Sequence, residues 1–238
     1  MSANSSTPKN RLLASLPASE YERLAPHLQL VSLSINQVLY EPREPIKYVY
    51  FPIDSMVSLV SIMQDGSTIE VGIVGKEGMV GVPVILGGNI TTNQAFVQVS
   101  NSALRMDADL LKSEFNRAGQ LQILLLRYTQ GLLTQATQSA ACNRFHTLEQ
   151  RLARWMLLVG DAIDSDEFML TQEFISQMLG TRRAGVTTAA GTLSQARMLH
   201  YRRGKITILN REALEATCCE CYGVITDEFT RLLSKPFD

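Results

Sequence analysis

Leu170-Thr171-Gln172-Glu173-Phe174-Ile175-Ser176-Gln177-Met178-Leu179-Gly180-Thr181 runs directly into Arg182-Arg183-Ala184-Gly185-Val186-Thr187-Thr188, and this stretch decides the fold. Thr171 suits a helix N-cap, where its side-chain oxygen accepts from an otherwise unpaired backbone N–H. Glu173 then falls in the first turn, where the helix dipole favours a carboxylate. Gly180 suits the left-handed position that ends a helix, and Thr181 is placed to cap a second one. A short helix, a tight glycine turn and a longer helix make a helix-turn-helix.

Val186, Ala190 and Leu193 form the inward face of the second helix. Arg182 and Arg183 occupy its first turn, with Thr187 and Thr188 one turn on. A helix N-terminus disfavours cations, so two arginines there make sense facing an anion. In a helix-turn-helix, this end of the second helix enters the DNA major groove. Arginine can there donate two bonds to a guanine, worth about 1–3 kcal/mol of discrimination. Gly185 and Gly191 each cost about 1 kcal/mol relative to alanine, so fraying is expected before docking. Tyr201-Arg202-Arg203-Gly204-Lys205 follows as a hairpin tip, with Ile206 to Leu209 as its return strand. The result is a winged helix whose tip can reach phosphates. The expected DNA contacts are Thr171, Gln172, Thr181, Arg182, Arg183, Thr187, Thr188, Arg202, Arg203 and Lys205.

Charge supports this reading only when taken by region. The whole chain has 22 Lys+Arg and 23 Asp+Glu, a net −1 that points to no polyanionic partner. Gly180 to Arg211 holds seven basic residues (Arg182, Arg183, Arg197, Arg202, Arg203, Lys205, Arg211) and no acid. Met1 to Ser100 holds six basic and eight acidic residues. A solvated basic face is the ordinary reading of such a run, but here it coincides with a helix-turn-helix and a wing.

Upstream, the period changes. Val31, Leu33 and Ile35 alternate with polar residues, and Val49 to Phe51, Met56 to Met63, Thr68 to Val74, Ala95 to Val99 and Ser102 to Met106 are β-rich. Asp65-Gly66 between two of these is a strong hairpin signal. Short strands without intervening helices predict an antiparallel sandwich or barrel, with Ser19 to His27 as a short helical cap. Gly72, Gly75, Gly78, Gly81, Gly87 and Gly88 crowd one loop region; they serve either tight turns or close backbone approach to an anion. From Asp107 to Cys142 a single long helix is expected. Leu121, Leu125, Tyr128, Leu132, Gln135, Ser139 and Cys142 follow 4-3 spacing, a seam for a second copy. Leu126, Leu133, Ala136 and Ala140 form another row, so one face should meet the chain's own sheet and the other a partner. Thr147 to Val159 reads as an amphipathic helix ending at Gly160, with an acidic loop, Asp161 to Glu167, beyond it.

The order of parts resembles the Crp/Fnr family of bacterial transcription regulators, over Leu12 to Leu209. The resemblance implies an α+β fold: an N-terminal antiparallel, jelly-roll-like β-roll of the cyclic-nucleotide-binding type, a long dimerisation helix and a C-terminal winged helix. The expected divisions are a sensor domain at 1–117, the pairing helix at 118–145, the winged helix at 146–211 and a helical extension at 212–238. Arg183 matches the family's guanine-contacting arginine. The glutamate usual after it is Ala184, so a different operator is expected. The ligand site departs further. Where cyclic-AMP-binding members have Gly-Glu-Leu-Gly and Arg-Ser-Ala, this chain has Gly78-Met79-Val80-Gly81 and Asn93-Gln94-Ala95. Both charged ligand groups are missing, so the pocket reading rests on Gly78, Met79, Gly81, Asn93 and Gln94, and cyclic AMP is not expected to bind.

The function expected is a homodimeric regulator on a palindromic operator, with half-sites about 34 Å apart, modulated through the roll by another effector. RNA polymerase is a further candidate partner. The rival readings are a ligand- or protein-binding module that does not read DNA, and a redox or metal sensor built on the cysteines. Cys218, Cys219 and Cys221 could hold a metal or act as a switch, but their spacing and scattered helical faces favour a structural role, and no cofactor is expected. His27, His146 and His200 form no catalytic spacing, so no enzyme is expected. Apolar runs fall far short of the roughly 20 residues of a membrane span, and Met1 to Asn10 is polar, so a cytoplasmic protein with reduced thiols is expected.

Overall fold

The computed structural model describes residues 8–234. Two short helices, α1 (Arg11–Ala14) and α2 (Ala18–Leu24), precede seven strands: β1 (Gln29–Leu33), β2 (Val38–Tyr40), β3 (Tyr48–Pro52), β4 (Met56–Ile62), β5 (Thr68–Val74), β6 (Gln94–Val99) and β7 (Asn101–Asp107). They form two antiparallel sheets, ordered β1-β7-β3 and β2-β6-β4-β5. The β4–β5 hairpin turns at Gly66, whose φ of 82° is the left-handed value its Asp-Gly pair supplies. Alternate residues point inward, and Val49, Phe51, Met56, Val57, Val74, Ala95 and Val97 are completely or almost completely buried. The antiparallel pairing expected from the alternation is present, in the β-roll that the family resemblance implied. The short strand β2 escaped the sequence reading because three residues give too little periodicity to register.

The expected single helix after the roll is two. Helix α3 (Ala108–Phe115) stops before α4 (Gln120–Phe145). Between them Ala118 has φ 58°, a conformation that breaks a helix. Gly119 at the α4 N-cap supplies no side chain. Glu20 of α2 caps the helix instead, its carboxylate accepting from the amides of Gln120 (3.0 Å) and Leu121 (2.6 Å).

The seam proposed for a second copy is largely occupied by the chain itself. Leu121, Leu125, Tyr128 and Gln135 are buried within the protomer, and Leu132 packs on the same core. Gln135 accepts from the Ile73 amide of β5 at 2.7 Å, and Ser139 accepts from Arg154 at 3.1 Å. The remaining cover comes from the C-terminus. Beyond α8 (Arg211–Thr217), helix α9 (Cys221–Leu233) returns along α4. Phe229 lies over Tyr128 at 6.0 Å between ring centroids. A β-carbon at Gly131 would stand 2.7 Å from the same Phe229 ring, so only glycine lets the helices approach this closely. Ile123, Leu126 and Leu133 are left exposed on the opposite face.

Helix α5 (Leu148–Ile163) opens with a capping box of Thr147 and Gln150 and runs straight through Gly160 to a left-handed Asp164. Its end is therefore three residues later than the glycine suggested. The expected acidic loop is shortened by strand β8 (Glu167–Met169), which pairs with β10 (Lys205–Ile208), itself paired with β9 (Leu199–Arg202). Among the described residues no helix is long and apolar enough to cross a membrane.

Phe229→Ala should destabilise the chain by about 3 kcal/mol, because burial and ring packing are lost together. In thermal denaturation that is a fall of roughly 6–12 °C for a domain of this size.

Candidate nucleic-acid interface

Helix α6 (Gln172–Met178) begins where the Thr171 hydroxyl accepts from the Phe174 amide at 3.2 Å. It ends at Leu179, and Gly180 turns the chain with φ 58°. Helix α7 (Arg183–Gln195) follows with Arg182, not Thr181, at its N-cap, and without a side-chain cap bond. Thr181 is thus one residue outside the position expected of it. No side chain caps the α7 N-terminus, and Arg182 and Arg183 stand exposed beside its first amides. Val186, Ala189, Ala190 and Leu193 anchor the other face of α7 in the core.

Gln172 and Thr187 join the two helices: the Thr187 hydroxyl donates to Gln172 Oε1 at 2.8 Å. Thr188 is exposed, and its hydroxyl donates to the Ala184 carbonyl of its own helix at 3.1 Å. The wing turns through Arg203 (φ 52°) and Gly204 (φ 81°), a two-residue loop between the paired Arg202 and Lys205. Positive φ at both residues is the geometry of a type I′ hairpin. This wing returns to the helix-turn-helix, so that Thr171, Gln172, Arg183, Tyr201, Arg203 and Gly204 line one concavity of about 350 Å³.

Charges outside the basic run enter its neighbourhood in space. Lys205 pairs with Glu167 of β8 at 2.8 Å, which holds that carboxyl below its usual range. Arg211 is ringed by Asp161, Asp166 and Glu215. Arg182, Arg183, Arg202 and Arg203 are exposed and make no ion pair among the described residues. Positive potential therefore gathers at the α7 N-terminus and the wing tip, and Lys205 contributes less than its sequence position suggested.

The glycine loop has a different fate. A β-carbon at Gly78 would stand 2.2 Å from the Tyr128 hydroxyl, and one at Gly81 would meet Val49 at 2.8 Å. Met79 is buried, and its carbonyl accepts from Tyr128 at 3.2 Å. Asn93 and Gln94 bond Ser61 and Glu41. Gly78 thus admits Tyr128 of α4 and Gly81 admits Val49 of β3, so both glycines pack against the protein's own side chains. A cavity of about 350 Å³ opens elsewhere, between the roll, α5 and α9, lined by Arg11, Lys76, Glu77, Asp161 and Tyr222 among others.

The cysteines regroup as well. Cys219 and Cys221 come together with Cys142 and His146 from the end of α4, while Cys218 stays outside the group. The signal missed in sequence was the i, i+4 spacing of Cys142 and His146, which puts both on one helix face.

The fold and this site agree with the similarities to known proteins. A cyclic nucleotide-binding domain model matches residues 30–118, and a Crp-like helix-turn-helix domain model matches residues 150–217. The global nitrogen regulator of Nostoc sp. is 23% identical over 185 residues, covering 73% of this chain and 82% of that protein. FixK2 from Bradyrhizobium japonicum superposes with a TM-score of 0.69 at 19% identity, over 81% of this chain and 98% of that one. The c-di-GMP responsive regulator CLP of Xanthomonas campestris gives a TM-score of 0.65 at 15% identity, over 81% and 99% of the two chains. The chain belongs to the Crp/Fnr family of transcription regulators. It is a DNA-binding regulator of the Crp/Fnr type that carries a cyclic-nucleotide-binding domain.

A buried contact fixes the roll to the DNA-binding half. Trp155 of α5 donates its indole N–H to Glu70 of β5 at 2.6 Å, and the Ser58 hydroxyl donates to the same carboxylate at 2.6 Å. Burial pushes the Glu70 carboxyl up to about 7, with the two hydrogen bonds and Arg154 acting against it. The folded state thus holds a proton that the unfolded chain releases at lower pH, so stability is lost as pH rises from about 4.5 towards 7. Glu70→Gln keeps the acceptor for Trp155 and removes this loss. Unfolding free energies of wild type and variant from urea titrations should diverge above pH 5, by on the order of 1–2 kcal/mol at pH 8.

Proposed function

We propose that the protein binds DNA as a homodimer, with Arg183 and Arg182 reading base edges and Arg202 and Arg203 clamping phosphates. The observation that carries this is the set of four exposed arginines at the α7 N-terminus and wing tip, without ion-pair partners among the described residues. Thr187 and Thr188 stand one turn further along the same helix, and Thr171 and Gln172 border the concavity at its start. Guanidinium groups beside uncapped helix amides form an anion-binding surface, and their fork geometry suits guanine and phosphate alike.

Dimerisation is assigned to the outer face of α4. Ile123, Leu126, Gln130, Leu133, Thr137 and Ala140 are exposed at 3-4 spacing, and Leu133 is 64% exposed. A stripe of this kind on a helix of 26 residues is what a two-stranded coiled coil covers. The two-fold axis then places two α7 helices on a palindromic operator. The effector is other than cyclic AMP: the phosphate-binding cation is missing, and Tyr128 packs on the glycine loop.

Leu133→Glu should give monomers by light scattering at concentrations where the wild type is dimeric. Arg183→Ala should lose about 1–3 kcal/mol on the selected operator and little on random DNA. Arg203→Ala should weaken both alike and flatten the salt slope by about one unit per half-site. Lys205→Ala should do less than Arg203→Ala, because Glu167 already neutralises it. Anisotropy titrations across salt concentrations read all three, and identical behaviour of Arg183→Ala and Arg203→Ala would sink the division of roles.

A further inference from the structure

Three buried sulfurs, those of Cys142, Cys219 and Cys221, make a small cluster separate from the main apolar core. With His146 they offer four ligand atoms that all lie within 4.8 Å of one another. The Sγ atoms of Cys142 and Cys219 are 3.5 Å apart, and Cys221 Sγ is 3.5 Å from His146 Nδ1. Bond lengths of about 2.3 Å to sulfur and 2.0–2.1 Å to nitrogen put tetrahedral ligand atoms roughly 3.5–3.8 Å apart. The four atoms thus need only a small inward adjustment to hold one ion. An iron–sulfur cluster would spread its cysteines wider, because their sulfurs stand outside several irons.

We propose that Cys142, His146, Cys219 and Cys221 form a tetrahedral structural site for one zinc ion. Three thiolates and an imidazole suit zinc, and a set filled by four protein ligands leaves no open position for catalysis. The ligands come from two places that the fold must bring together. Cys142 lies in the last turn of α4, with His146 as its C-cap residue. Cys219 lies in the break between α8 and α9, and Cys221 is the first residue of α9. The break lets two cysteines separated by one residue turn to the same point, which a continuous helix would forbid.

The surroundings are those of a metal centre rather than of a buried thiol cluster. His146 presents Nδ1 to the sulfurs and Nε2 to the Glu220 carboxylate at 3.2 Å. A carboxylate behind a ligating histidine fixes the tautomer that leaves the other nitrogen free for the metal. Gln138 donates an amide N–H to Cys221 Sγ at 3.2 Å. Arg151 and Arg154 act electrostatically on Cys142, which offsets the net negative charge of three thiolates around a divalent ion. Cys218 stands apart: its thiol donates to the Glu215 carbonyl at 3.1 Å. Metal binding releases the three thiol protons to solvent and clamps the C-terminal helices onto the end of α4, beside the joint with α5.

The test is metal analysis of the full chain, expressed with zinc supplied and purified anaerobically without chelator, with any histidine tag removed. One zinc per chain is expected, falling at least about fivefold in Cys142→Ser and Cys219→Ser. Cys218→Ser should keep the full content, and His146→Cys should keep more zinc than His146→Ala. Should the cysteine variants not fold, wild-type chain stripped of metal and titrated with cobalt(II) should show tetrahedral d–d bands and thiolate charge transfer, saturating at one equivalent. The proposal is overturned by metal-free protein with freely reactive thiols and no cobalt bands. Iron with acid-labile sulfide, a Cys142–Cys219 disulfide in the anaerobic material, or equal zinc loss in Cys218→Ser would overturn it too.

Discussion

The packing of Phe229 against Gly131 and Tyr128 sets the arrangement of the molecule. Helix α4 has two apolar faces, and a helix on a protein of this size cannot leave both in water. The roll and α9 divide the inner face between them, with Tyr128 and Gln135 reaching into the roll and Phe229 closing over Gly131. What remains is the stripe through Leu126 and Leu133, which is the face assigned to a second copy. The lie of the C-terminal extension thus decides which face of α4 stays uncovered within the protomer.

The same return of the chain explains two further features. It carries Cys219 and Cys221 to Cys142 and His146, residues some 75 positions away in sequence. It also brings Tyr222 to Asp161 and Arg211, whose hydrogen bonds join α9 to α5 and to the start of α8. The winged helix is therefore tied to the rest of the protein from both ends. Glu70 and Trp155 hold it on the roll side, and α8 and α9 hold it behind.

The helix-turn-helix was legible because its signals are local. Thr171 caps, Gly180 turns, and the spacing of Val186, Ala190 and Leu193 fixes which face is buried, so the outward position of Arg182 and Arg183 follows without knowledge of the fold. The wing was legible for the same reason, since Arg203-Gly204 marks a two-residue turn. The glycine loop was not. Glycine reports that something approaches closely, but not whether it is a ligand or, as at Gly78, the ring of Tyr128. The 4-3 seam on α4 marks an apolar face, but periodicity identifies a buried face without naming what buries it, and within the protomer the roll and α9 cover this one.

Local sequence patterns suffice for the succession of strands, long helix, helix-turn-helix and wing, and for the separation of a basic window from an otherwise acidic chain. These follow from nearest-neighbour physics: side-chain alternation, caps, turns and charge along a few residues. Tertiary structure alone decided which face of α4 stays exposed, that Glu167 neutralises Lys205, and that four distant cysteine and histidine residues share one point. Each of those depends on pairs far apart in the chain, and such pairs are set by how surfaces compete for the same neighbour.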